Sequence, residues 1–263
     1  MTETTDAVRS RSGVEGKTAV VTGASSGIGR AIASVFAADG ADVVVCSRTL
    51  ADVEAVADEL ADLPGDVEAV EADVTDRDDV EALAAAAEDE LGGVDVLVNN
   101  AGGGAGLMPL DEVDGDLWDA VVGVNLTGVY NVTHAFSDAL RDGDASAVVN
   151  VASMAGEYGV EGMGPYSAAK GGVVSLTRTL ARDWADADVR VNAVSPGFVA
   201  TEKLREGYGL ERELDRANAE RTWGTPAEIA DLVRFLASDA ASFVNGQSVN
   251  VTGTPNTYET PDR

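Results

Sequence analysis

Residues 164–172 read GPYSAAKGG, which sets Tyr166 and Lys170 four positions apart. On a helix that spacing puts both side chains on one face, a single turn from each other. A free phenol titrates near ~10 and is inert as an acid or base at neutral pH. A neighbouring ammonium stabilises the phenolate and lowers that value. The chain has five tyrosines and only three lysines. The pair is therefore either an exposed coincidence on a solvated helix or a phenol tuned by a cation to move protons.

A second stretch with chemistry in its spacing is TGASSGIG, residues 22–29. Gly23 allows a tight turn, Gly27 lets backbone approach a pyrophosphate, and Gly29 permits close helix–strand packing. Ser25, Ser26 and Ile28 complete the expected phosphate-binding turn, and amides at the helix start would face the anion. A glycine-rich turn alone is weak; its place between a first strand and a first helix strengthens it. An NAD site wants an acid at the end of the second strand for the ribose 2′-hydroxyl. Here that end reads CSRT; Asp42 stands at the wrong end of the strand and Asp52 a turn into the next helix. Ser47 and Arg48 suit a 2′-phosphate, which favours NADP(H) over NAD(H).

The elements that must position these residues alternate along the chain. Apolar strands are expected at 17–23, 41–47, 67–74, 94–102, 145–153, 189–197 and 248–253, with helices at 27–40, 49–63, 77–92, 115–141, 164–186 and 225–237. Strands apolar on both faces, alternating with helices, indicate a Rossmann-like, doubly wound, seven-stranded parallel sheet covered on both sides. No Pro/Gly/Ser-rich linker divides the chain, so residues 15–263 read as one α/β domain after a polar, disordered 1–14 tail, with a substrate lid at about 199–224.

Composition excludes several functions. The chain carries 46 acidic and 18 basic residues, a net charge of −28, which disfavours nucleic acid and anionic lipid as partners. At about 1 M salt the Debye length shrinks to roughly 3 Å, so this surface suits concentrated salt and resembles that of halophilic proteins; an ordinary acidic protein is the alternative. No apolar run is long enough for a membrane span, and the N-terminal residues lack the apolar core of a secretory signal. The lone Cys46 lies in the apolar run ADVVVCS and reads as a buried structural thiol. A cytoplasmic location follows by default. The absence of a Cys/His cluster argues against a metal site, and His134 reads as a packing or surface residue.

TGASSGIG (22–29), ADVT (72–75), NNAG (99–102), Asn125 in GVNLTG, Ser153 in NVASMAG, YSAAK (166–170) and SPGFVAT (195–201) occur in the order of the short-chain dehydrogenase/reductase family. The resemblance covers nearly the whole chain, from about Gly16 to Gly253. It implies an NAD(P)-dependent oxidoreductase acting on a carbonyl or secondary alcohol, usually homotetrameric, although a dimer stays open. It implies that Tyr166 gives and takes the proton, that Ser153 hydrogen-bonds the substrate oxygen, that Lys170 reaches the nicotinamide ribose, and that Asn125 holds a helix backbone and a proton-relaying water. By the same resemblance Asp73 and Val74 flank the adenine, Asn99, Ala101 and Gly102 line the adenine ribose, and Pro196, Gly197, Val199 and Thr201 cover the nicotinamide end. Thr201 reads equally as a helix N-cap.

The C-terminal segment VNVTGTPNTYE departs from the family, which more often has an acidic residue and paired glycines there. Substrate specificity is expected in 102–113, 154–165 and 199–224. The middle segment offers Met154, Glu157, Tyr158, Glu161 and Met163 and no cation, so an anionic substrate would look to Lys203 or Arg205. The nearest resemblance is to 3-oxoacyl reductases and sugar dehydrogenases, leaving a thioester, a sugar or a small ketone open. A reading from another class is a non-catalytic, nucleotide-binding regulatory protein on the same fold.

Overall fold

The computed structural model describes residues 12–104, 106–210, 214 and 221–253. Seven parallel strands form the main sheet: β1 (Thr18–Thr22), β2 (Asp42–Ser47), β3 (Val67–Glu71), β4 (Val96–Asn99), β5 (Ala147–Val151), β6 (Arg190–Pro196) and, after a short β7 (Phe198–Val199) and β8 (Trp223–Gly224), β9 (Ser248–Val251). Their order is β3-β2-β1-β4-β5-β6-β9, while β7 and β8 pair with each other. The order reverses between β1 and β4, and a crevice opens there at the carboxyl ends of the strands.

Side-chain alternation assigns successive strand residues to opposite faces. Ala19, Val21, Val43, Val45, Val96 and Val98 join the core formed with Ile32, Phe36, Ile229 and Leu236. Their neighbours Val20, Val44, Cys46 and Leu97 join a second core with Leu83, Phe136 and Leu140. Helices thus cover both faces, as the doubly apolar strands require. Val14, expected in the tail, is fully buried in the first core, and its N–H donates to Asp39 at 3.3 Å. Residues 1–11 of the expected tail lie outside the described residues, as do 211–213 and 215–220 of the expected lid and residues 254–263.

The helices end where the chain supplies the chemistry to stop them. Gly40 closes the Gly27–Asp39 helix in the left-handed conformation. The Asp76 carboxylate caps the Arg77–Leu91 helix by accepting from the Asp78 and Asp79 amides. The single helix expected over 115–141 is instead interrupted. Helical segments Gly115–Val122, Gly128–Ala135 and Ser137–Asp142 flank a π turn at Gly123–Thr127, across which the Gly128 N–H reaches Gly123 O. Gly128 itself lies so close to Val74 that a Cβ there would stand 2.6 Å from a Val74 methyl. Among the described residues no helix is long and apolar enough to cross a membrane.

Candidate active site

The carboxyl ends of β1, β2, β4, β5 and β6 border a cavity of about 830 Å³. The glycine turn forms one wall, with Gly23, Ser25, Ser26, Gly27 and Ile28 on it. Gly23 and Gly27 adopt φ of 64° and 57°. A Cβ on Gly23 would meet the Ala101 Cα at 2.7 Å. Gly29 is not on the wall; a Cβ there would stand 2.4 Å from Gly23 O, so its absence lets the helix approach the turn. Ser26 precedes the Gly27–Asp39 helix without capping it through its side chain, which turns an uncapped helix N-terminus towards the cavity.

Ser47 and Arg48 both reach the wall. The Ser47 hydroxyl donates to Thr49 O at 3.0 Å, and Asp42, at the far end of the strand, accepts from the Asp66 N–H at 2.9 Å. Asp73 and Val74 are on the wall; the Asp73 carboxylate accepts from the Thr75 N–H and hydroxyl at 2.9 and 2.7 Å. Ala101, Gly102, Pro196, Gly197, Val199 and Thr201 line it too. Thr201 also acts as the N-cap of the Glu202–Tyr208 helix, accepting from the Leu204 N–H at 3.4 Å.

Asn99 corrects the sequence reading. Its side chain is buried beneath the cavity, where its amide donates to Thr133 at 3.0 Å and to Asn150 at 2.8 Å. The next residue, Asn100, lines the cavity and donates to Thr22 O and Gly23 O, both at 2.9 Å, pinning the glycine turn. Asn99 is the last residue of β4, so the pleat turns its side chain away from that of its neighbour. The Thr22 hydroxyl, which sequence reasoning passed over, accepts from the Asn100 and Ala101 amides at 3.0 Å each.

Ser153, Tyr166 and Lys170 meet at the other end of the cavity. Ser153 follows β5; its hydroxyl accepts from the Ala155 N–H at 3.1 Å and hydrogen-bonds Tyr166. Tyr166 and Lys170 share a face of the Gly164–Asp183 helix. Asn125 sits in the π turn, fully buried; its amide donates to Gly103 O and Val121 O, and its oxygen accepts from the Gly103 N–H. Through Gly103 it fixes the loop after β4 beside Lys170. A Cβ on the intervening Gly102 would come within 2.5 Å of the Asn125 oxygen and 3.3 Å of Lys170 Nζ.

The electrostatics depart from expectation. Lys170 is 3% exposed, its ammonium donates to Val151 O at 2.7 Å, and burial pushes its pKa down to about 8. Nζ lies 5.9 Å from the centre of the Tyr166 ring. The phenol was expected below its ordinary value; here it is held above it, because burial outweighs the opposing hydrogen bond from Ser153.

Of the specificity segments, 102–113 and 154–165 are joined, with the Met108 N–H donating to Gly162 O at 2.8 Å; residue 105 lies outside the described residues. Lys203 lines the cavity. Arg205 instead spans the lid, donating to Ala200 O and Leu210 O. Among the described residues no group of three or more His, Cys, Asp or Glu is placed to hold a metal ion.

The sequence profile of the short chain dehydrogenases matches residues 17–208. A 3-oxoacyl-[acyl-carrier-protein] reductase from Thermotoga maritima is 40% identical over 245 residues, covering 91% of this chain and 98% of that one. Its counterpart from Synechocystis sp. is 42% identical over 239 residues, covering 89% and 95%. Among solved structures, a short-chain type dehydrogenase/reductase from Mycobacterium marinum superposes with a TM-score of 0.86 at 31% identity, covering 95% of this chain and 99% of that one.

Proposed function

The chain belongs to the short-chain dehydrogenase family, and from that premise we propose that this oxidoreductase is an NADP(H)-dependent reductase of carbonyl compounds with a tyrosine acid. Among substrates, 3-oxoacyl thioesters are favoured because the T. maritima and Synechocystis relatives bear that activity in their names; a sugar or small ketone is the remaining choice. The single observation carrying the reading is convergence: Ser153, Tyr166 and Lys170 line one end of a cavity whose other end is built by the glycine turn and Arg48.

The residues present fit a dinucleotide. Side-chain-free backbone at Gly23 and Gly27 and an uncapped helix start suit a pyrophosphate. The Arg48 guanidinium would hold the 2′-phosphate, and Lys170 and Asn125 would order the site near the nicotinamide. When bound, the cofactor supplies hydride to the carbonyl carbon. Tyr166 delivers the proton to the carbonyl oxygen, and Ser153 donates a hydrogen bond to that oxygen as charge develops. Lys170 carries the positive charge that favours the phenolate left behind.

The test is NADPH oxidation in about molar KCl, where the roughly 3 Å Debye length screens the −28 charge. A panel of 3-oxoacyl thioesters, keto sugars and small ketones is assayed with both cofactors. Tyr166→Phe should lower kcat by about 10²–10⁴-fold while NADPH still binds. Binding without turnover on any substrate, unchanged in Tyr166→Phe, would instead support a nucleotide-binding regulatory protein. The reading extends to a cytoplasmic homotetramer, and light scattering in the same buffer tests the tetramer.

A further inference from the structure

Ser153 caps the Met154–Tyr158 helix, which is only five residues long. Helices this short are marginal alone, so their orientation comes from tertiary anchors. One side of this helix lies on the turn carrying Lys170: a Cβ on Gly156 would stand 2.5 Å from the Lys170 carbonyl carbon and 2.6 Å from the Gly171 nitrogen. At the far end the Glu157 carboxylate oxygen Oε1 accepts from the hydroxyls of Ser195, at 3.0 Å, and Ser248. Those hydroxyls are themselves 2.9 Å apart, on adjacent strands β6 and β9. Ser195 is fully buried and directly precedes Pro196 of the cavity wall. The neighbouring Tyr158 hydroxyl accepts from the Asn250 amide of β9 at 2.7 Å.

Glu157 was read from sequence as a substrate-side acid, but its carboxylate is committed to these strands. A hydrogen bond to an ionised acceptor is roughly twice as strong as a neutral one, and here one oxygen gathers donors from two strands. We propose that Glu157 is a positioning residue for Ser153: it clamps the helix that Ser153 caps to the ends of β6 and β9, and so fixes the Ser153 hydroxyl relative to Tyr166. This rests on the reductase reading above. Glu157 touches neither Tyr166 nor Lys170 through the bonds described, so it acts through the backbone it holds.

The test compares Glu157→Ala, Glu157→Gln, Ser153→Ala and the Glu157→Ala/Ser153→Ala double variant. Glu157→Ala should lower kcat about tenfold, since a small misplacement of a reacting group is costly, with the KM for NADPH changed less than about twofold. Glu157→Gln keeps an acceptor oxygen and should recover most of kcat. In the Ser153→Ala background, Glu157→Ala should remove nothing further. Equal losses in both backgrounds, or an unchanged kcat in Glu157→Ala, overturns the proposal. Should Glu157→Ala not fold, the Ser195→Ala/Ser248→Ala variant removes both donors and must reproduce the same pattern.

If the parent protein turns over no substrate, the reductase reading falls and Tyr166 decides the inference. Its phenolate titration is isolated by difference absorbance against Tyr166→Phe. The hydrogen bond from Ser153 eases ionisation of Tyr166, so Glu157→Ala should raise the midpoint; an unmoved midpoint refutes the clamp.

Discussion

Replacing Lys170 by methionine isolates what it costs the fold to hold an ammonium at this position. The side chain is 3% exposed, and burial sets its pKa at about 8 in the folded state. In the unfolded chain it titrates near ~10.4, and one pH unit of difference corresponds to about 1.36 kcal/mol, so the buried charge costs about 3 kcal/mol. Its folded value is depressed, so the unfolded state binds the extra proton between those two pH values. The cost is therefore fully present below pH 8 and fades as pH rises towards ~10.4. Methionine removes the charge but leaves Val151 O without the bond it accepts at 2.7 Å, a penalty of about 1–3 kcal/mol. At neutral pH the two effects nearly cancel or leave the variant slightly more stable. The pH dependence carries no such ambiguity. Urea unfolding of the cofactor-free proteins should show the parent gaining about 3 kcal/mol on Lys170→Met between pH 7 and about 10.5. Parallel stability curves across that window would refute the burial of a charged lysine, and with it the account of why Lys170 and Tyr166 start from shifted values.

Arg48→Asp should lower the ratio of kcat/KM for NADPH over NADH at least about tenfold, since it removes a charge-assisted partner and adds a repelling carboxylate; steady-state kinetics with both cofactors checks it. Gly102→Ala drives a Cβ against the Asn125 oxygen and Lys170 Nζ; such overpacking costs about 1–3 kcal/mol, and kcat should fall more than the melting temperature suggests. Glu228 caps the Pro226–Ala237 helix with Thr225 and pairs with Arg221, which holds its pKa at about 2. Its stabilising contribution is full above the ordinary carboxylate range and is lost as pH falls towards about 2, so Glu228→Gln, with the pair partly screened by solvent, should cost about 1–2 kcal/mol at pH 7 and little at the acid end, by urea unfolding at each pH. With a net charge of −28, the urea midpoint should rise between 0.1 and 1 M KCl, as the Debye length falls from about 10 to about 3 Å.

The strand pattern was legible because each central strand is buried on both faces, so its residues are mostly apolar, with a few hydrogen-bonded polar residues such as Asn150 and Asn192 among them, and the helices between them carry the 3.6-residue period. Motif order likewise located the cavity wall: leaving aside Tyr166 and Lys170, fifteen of the seventeen residues from Gly23 to Thr201 expected to hold cofactor line it, Gly29 and Asn99 being the exceptions. What failed was resolution at single residues. Parity decided Asn99 against Asn100: strand ends cannot be read from sequence to better than a residue or two, and one residue exchanges the two faces. The π turn around Asn125 was hidden for a similar reason. Gly123, Asn125, Thr127 and Gly128 are each tolerated in a helix, and only the close approach of Gly128 to Val74 indicates that the axis must be displaced there.

The acidity of Tyr166 was missed for a different reason. Spacing on a helix identifies which charges can stand beside a phenol, but the sign of the shift depends on the balance between that charge and loss of water. Here Lys170 turns its ammonium onto Val151 O, and the hydrogen bond from Ser153 eases ionisation of the phenol against burial. The strength of that bond depends on where the Ser153 helix sits, and that helix is held by Glu157 on β6 and β9. The proton affinity of the expected catalytic group therefore depends on a carboxylate thirteen residues before Lys170 and on serines from two strands remote in sequence, a dependence that no local pattern of residues can express.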